Sequence, residues 1–113
     1  MCRAVWVMIV GPTTDANKAL RRAAGPDAQV VAMATSAEEA LSLLSSPSDV
    51  IVVDGTLDGA RDLISSLQEK AATAAIVWVG DDPPEQAHAS VPEPSDALEG
   101  AITRGLLAAR AAK

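Results

Sequence analysis

Asp54 follows four apolar residues, Val50-Ile51-Val52-Val53, and opens the run Gly55-Thr56-Leu57-Asp58-Gly59. A carboxylate placed where an apolar strand gives way to a glycine-flanked loop can attack a phosphoryl group, help to hold a divalent cation, or cap the backbone amides of its own loop. The first two uses need partners. Phosphoryl transfer rests on positioning and on electrostatic stabilisation of the moving group, and Mg²⁺ asks for oxygen ligands in near-octahedral geometry. Asp15 and Asp58 are the carboxylates that could join Asp54 around a cation, whereas Asp58, Asp81 and Asp82 also read as solvated turn residues. Other chemistry is thinly supplied. Cys2 is the single cysteine, so no intramolecular disulfide can form, and His88, the single histidine, makes no catalytic constellation with a nearby Ser or Cys and is expected at the surface. No phosphate-binding loop, nucleophile elbow or glycine-rich dinucleotide fingerprint occurs, and no catalytic residue is assigned.

The elements that must position Asp54 are written in an alternation of two patterns. Short continuous apolar runs at Ala4 to Val10, Gln29 to Met33, Asp49 to Val53 and Ala75 to Val79, with a weaker one at Ala89 to Val91, read as strands buried on both faces of a parallel sheet. Between them lie helical stripes: Ala16, Ala19, Leu20 and Ala23; Ala37, Ala40, Leu41 and Leu44; Ala60, Leu63, Ile64 and Leu67. A longer one closes the chain with Leu98, Ala101, Ile102, Gly105, Leu106 and Ala109, where Gly105 would permit close approach to the sheet. Thr14 or Asp15 can cap the first helix, Ser36 with Glu39 forms a capping box, and Asp96 with Glu99 another. Gly80-Asp81-Asp82-Pro83-Pro84 breaks structure and leaves so few residues before the fifth strand that a fourth helix must be short or absent. This order calls for an α/β fold with a five-stranded parallel sheet of flavodoxin-like order 2-1-3-4-5, helices on both faces. Its ligand crevice opens at the carboxyl ends of the first and third strands, at residues 11–15 and 54–59.

Composition narrows the function classes. The chain of 113 residues is 49% hydrophobic, enough for one core and one domain spanning 1–113, although it could be the N-terminal part of a longer protein. Its two tryptophans, Trp6 and Trp78, are the only aromatics and are expected in core or edge packing. The formal charge of -6 and the scattered basic residues argue against direct nucleic-acid binding; Lys18, Arg21 and Arg22 read as a solvated helix face. The first apolar run is too short to span a membrane and lacks a signal-peptide cleavage pattern, so a cytoplasmic location is expected.

The segment Asp49 to Gln68, DVIVVDGTLDGARDLISSLQ, resembles the third strand, phosphoacceptor aspartate, loop and third helix of bacterial response-regulator receiver domains, and the order of elements extends the resemblance over nearly the whole chain. The resemblance implies a two-component signalling module in which Asp54 occupies the phosphoacceptor position. It also shows where the family's pattern is lost. The acidic pair that holds Mg²⁺ falls on Gly11 and Pro12, the Ser or Thr after the fourth strand on Gly80, the switch aromatic of the fifth strand on Ser90, and the Lys-Pro pair on Glu93-Pro94, where Glu93 would repel a phosphoryl group. The resemblance therefore implies a degenerate, or pseudo-, receiver without a cofactor, whose output is contact with a protein partner or an attached output domain. Homodimerisation through residues 80–95 and the last helix is a further expectation. Two alternatives stand beside it: a divergent receiver still phosphorylated on Asp54 with Mg²⁺, and a small-ligand binder using the same crevice.

Overall fold

The computed structural model describes residues 5–25, 28–43, 48–70, 74–81, 83–85, 87–92 and 97–111, the last three by backbone alone. The elements run β1 (Val5–Val10), α1 (Thr14–Ala24), β2 (Ala28–Ala34), α2 (Ala37–Ser42), β3 (Val50–Asp54), α3 (Ala60–Lys70), β4 (Ala75–Val79), β5 (Ala89–Val91) and α4 (Ala97–Ala111). The five strands form one parallel sheet in the order β2-β1-β3-β4-β5. This is the topology expected of an alternating chain whose crossovers are right-handed. Among the described residues no helix lies between β4 and β5, as the proline-bearing connection required. No helix among them is long and apolar enough to cross a membrane.

Period-two alternation along the strands divides the core between the two faces of the sheet. On one face Met8, Val10, Ile51, Val53, Ile76 and Trp78 meet α2 and α3 through Ala40, Leu63, Ile64 and Leu67. On the other, Val7, Ile9, Val50, Val52, Ala75 and Val77 meet α1 and α4 through Leu20, Ala24, Leu98 and Ile102. β3 and β4 are buried at every position, as continuous apolar runs covered on both sides must be. Gly105 lets α4 lie close: a Cβ there would sit 3.3 Å from Val77 Cγ2.

Four expectations are corrected. β2 is not buried on both faces; its burial alternates, because it is the outermost strand, and Val31 and Met33 remain 37% and 39% exposed. Trp6 lies 41% exposed, on the face covered by α2 and α3, where α2 is only six residues long. The cap of α1 is Thr13 rather than Thr14 or Asp15: its Oγ1 accepts the Ala16 amide at 3.1 Å. The buried stripe of α1 is Asn17, Leu20 and Ala24, so the stripe is turned away from Ala19, which is exposed, and carries a polar residue inside it. The Ser36 cap is formed as expected, Oγ accepting Glu39 N–H, while Glu39 Oε1 reaches back to the amide of Thr35. Leu44 and Asp96 lie outside the described residues.

Candidate functional site

The carboxyl ends of β1, β3 and β4 meet at one edge of the sheet, and Asp54 stands at the middle of it. Its side chain is 8% exposed, one of two buried polar residues among those described. Oδ1 accepts two hydrogen bonds from Thr56, from the backbone amide at 2.9 Å and from Oγ1 at 2.8 Å, while the Asp54 carbonyl accepts Leu57 N–H at 3.0 Å. This is a carboxylate turned back onto its own loop, in the manner by which aspartates stabilise tight turns. The turn is completed by Gly59, whose φ of 76° lies in the left-handed region, immediately before α3.

The residues that the sequence singles out around Asp54 are placed as follows. Gly11 is buried at the end of β1, its amide donating to Ala34 O at 3.1 Å, and Pro12 is half-buried beside it. Neither carries an oxygen ligand in its side chain. Asp15 and Asp58 are exposed, and among the described residues no group of three or more His, Cys, Asp and Glu side chains could hold a metal ion. Gly80 follows β4, its amide bonded to Val91 O at 2.8 Å, and Ser90 is half-buried on β5 as the register partner of Trp78. Glu93 lies outside the described residues.

Trp78, expected in packing, also shapes the site. It is 3% exposed on the face of β4 toward α3, and its Nε1–H donates to Asp81 O at 3.2 Å. The Arg61 guanidinium, from the first turn of α3, sits 5.4 Å from the ring centroid, within cation–π range. The indole rests on the backbone of the loop after Asp54: a Cβ at Gly55 would come within 2.5 Å of Trp78 Cζ2 and 2.9 Å of Cε2, and one at Gly80 within 3.4 Å of Nε1. Glycine at 55 makes room for the ring, whereas a Cβ at 80 would only touch it and glycine there serves a φ of 143°. Beside it lies an open crevice of about 470 Å³ lined by Gly55, Leu57, Arg61, Asp62, Trp78 and Asp81. His88 is half-buried rather than at the surface. Its Nδ1 accepts the Ile76 amide at 2.9 Å and its own amide donates to Ile76 O at 2.8 Å, so the imidazole extends the β4–β5 ladder by one rung.

Sequence reasoning missed Asn17. It is 2% exposed, its Nδ2 donates to Ala34 O at 3.0 Å, and its Oδ1 is buried without a hydrogen-bond partner. The available signal was its spacing, three residues before Leu20 and seven before Ala24, which puts an amide on the buried stripe.

No protein-family model and no curated protein sequence matches the chain. Solved structures do. The signal receiver domain of an HD domain-containing protein from Pseudomonas fluorescens Pf-5 is 16% identical, with a TM-score of 0.79 over 96% of this chain and 99% of that one. A response regulator receiver domain protein from Methanospirillum hungatei JF-1 is 18% identical, with a TM-score of 0.77 over 97% and 99%. A structure described as adenylate cyclase from Rhodopirellula baltica is 18% identical, with a TM-score of 0.80 over 96% of this chain and 92% of that one. At such identities the likeness is one of fold, and the fold is that of receiver domains, a flavodoxin-like doubly wound sheet with its crevice at Asp54.

Proposed function

We propose that the chain is a pseudo-receiver: a signal-transduction module that works through protein contact, without aspartyl phosphorylation as its trigger. The observation that carries this reading is the surroundings of Asp54. The carboxylate ends β3, the position that the resemblance to receivers gives to a phosphoacceptor, yet Oδ1 is engaged by Thr56 of its own loop, and the neighbouring strand ends present Gly11, Pro12 and Gly80, which have neither a carboxylate nor a hydroxyl. These residues do not fit Mg²⁺, whose octahedral shell in such a site draws on more than one acidic side chain. Phosphoryl chemistry depends chiefly on electrostatic stabilisation, and an acyl phosphate on Asp54 would find Gly80 in place of a hydroxyl and Glu93 in place of a lysine, with Thr56 Oγ1 of its own loop as its hydroxyl neighbour. On this reading Asp54 serves its loop, the chain is not an enzyme, it needs no cofactor, and it operates in the cytoplasm.

The partner is a protein, either separate or joined to this chain as an output domain, met through α4 and the β4–β5 side of the sheet. Leu107 on α4 supports that choice, being 61% exposed, the most exposed large apolar side chain among the described residues. A second copy could occupy the same face. The test is an amide NMR titration with Mg²⁺ and beryllofluoride, an acyl-phosphate mimic, on the native chain and on Asp54→Asn. The expected result is an unchanged spectrum at millimolar ligand. Shifts centred on residues 11–15 and 54–59 that vanish in Asp54→Asn would overturn the proposal and make this a working, divergent receiver. Shifts in the crevice that persist in Asp54→Asn would point to a small-ligand binder.

A further inference from the structure

The buried Oδ1 of Asn17, without a hydrogen-bond partner, lies against Gly11. A buried amide oxygen without a donor costs free energy, so its position calls for a cause. A Cβ built on Gly11 would overlap Asn17 Oδ1 and lie 3.4 Å from its Cγ and 3.7 Å from Ala16 Cβ. The backbone at Gly11 is not among the positive-φ glycines, so what an L side chain would meet there is the Asn17 carboxamide and not a conformational barrier. The carboxamide is held in that space from its other end. Ala34 O, at the end of β2, accepts both Asn17 Nδ2 at 3.0 Å and Gly11 N at 3.1 Å, and so fastens α1, β1 and β2 at a single atom.

We propose that Asn17 fills the corner at the carboxyl end of β1: its carboxamide occupies the volume from which a side chain at position 11 would have to project. The corner where a receiver's first-strand carboxylate would stand is here filled from α1 by a neutral amide. The inference rests on reading the chain as a pseudo-receiver and adds to it. The missing acid at 11 is one half of a coupled pair, and replacing Gly11 alone cannot restore it.

The test is a double-mutant cycle on stability, with urea unfolding of the native chain, Gly11→Ala, Asn17→Ala and Gly11→Ala/Asn17→Ala. Overpacking a filled site is expected to lower the folding equilibrium constant on the order of 10- to 100-fold for Gly11→Ala. Asn17→Ala removes the obstruction while Ala34 O keeps the Gly11 N–H, so adding Gly11→Ala to it is expected to cost less than about 3-fold. Losses that simply multiply would overturn the proposal. A second arm titrates Mg²⁺ into Gly11→Asp and Gly11→Asp/Asn17→Ala, with amide shifts at 11 and 54 expected only in the double variant. Their absence there would overturn the claim that the Asn17 carboxamide is what keeps a carboxylate at position 11 out of this corner. The pseudo-receiver reading fails separately, if the unsubstituted chain itself answers Mg²⁺ and beryllofluoride at Asp54.

Discussion

Replacing Trp78 with alanine is expected to remove a large part of the stability of the chain. The ring is 3% exposed, and a tryptophan so buried withdraws ~200 Å² from water, worth ~5 kcal/mol at ~25 cal/mol/Å². Taking a fully extended chain as the unfolded reference overstates burial by ~10–40%, which brings the figure to ~3–4.5 kcal/mol. The Nε1–H bond to Asp81 O adds ~1 kcal/mol and the Arg61 guanidinium about 0.5 kcal/mol, while the open crevice beside the ring lets water and neighbouring side chains recover part of the loss. The net expectation is ~3–5 kcal/mol, in the range measured for removal of buried aromatics. A urea m-value of ~1.5 kcal/mol/M turns this into a midpoint lower by ~2–3 M. The assay is urea unfolding followed by far-UV circular dichroism, with Trp78→Phe and Trp6→Ala as companions. Phenylalanine keeps most of the apolar contact and loses the indole N–H, so it should cost less than half as much. Trp6, 41% exposed, should cost ~1 kcal/mol or less. A Trp78→Ala loss no larger than that of Trp6→Ala would refute the claim that the ring is seated on the Gly55 loop.

Three further outcomes follow from the same geometry. His88→Ala leaves the Ile76 amide without its Nδ1 acceptor and should cost ~1–3 kcal/mol, with hydrogen exchange at Ile76 accelerating more than at the centre of β4. Gly105→Val forces a branched side chain into the 3.3 Å gap to Val77 Cγ2, and thermal unfolding should report a loss of ~1–3 kcal/mol, against no loss for a valine at the exposed Thr103. Ser36→Ala removes the acceptor of the Glu39 amide and should cost ~1 kcal/mol, read from the denaturation midpoint at constant m-value.

The sheet order, the strand and helix alternation and the position of Asp54 could be read before any coordinates, because each rests on a local pattern. Continuous apolar runs such as Val50 to Val53 must be covered on both sides, and a carboxylate that ends such a run must emerge at the strand's carboxyl end. What could not be read depends on contacts between elements. Gln29 to Met33 reads as a strand buried on both faces, and although the order 2-1-3-4-5 sets β2 at an edge, how much of it the helices leave uncovered is decided by packing. Asn17 reads as a surface amide unless the helix phase is set by Leu20 and Ala24, and its seat on Gly11 requires the packing of α1 against the end of β1. Trp78 was legible as a packing residue, yet its place over Gly55 depends on the register that pairs Asp54 with Val79. Glycines 11, 55 and 80 illustrate the difficulty. In the sequence they are missing side chains, whereas in the fold the space at 11 and 55 is taken by a neighbour's side chain and Gly80 borders the Trp78 ring.

The edge strand β2 has a consequence for how the chain behaves in concentrated solution. Its seven residues, Ala28 to Ala34, carry no charge, and Gln29, Val31 and Met33 are exposed. Natural edges are guarded by lysine, proline or a bulge, and of these β2 has only the irregularity opposite Val7 and Met8. Protection against edge-to-edge pairing therefore falls to long-range repulsion from the formal charge of -6 spread over the rest of the molecule. Such repulsion acts over a Debye length of about 8 Å at physiological ionic strength and shrinks as salt is added. The colloidal behaviour of this protein is thus governed by ionic strength and by protonation of its carboxylates, which can bring copies together at their edges while every copy remains fully folded.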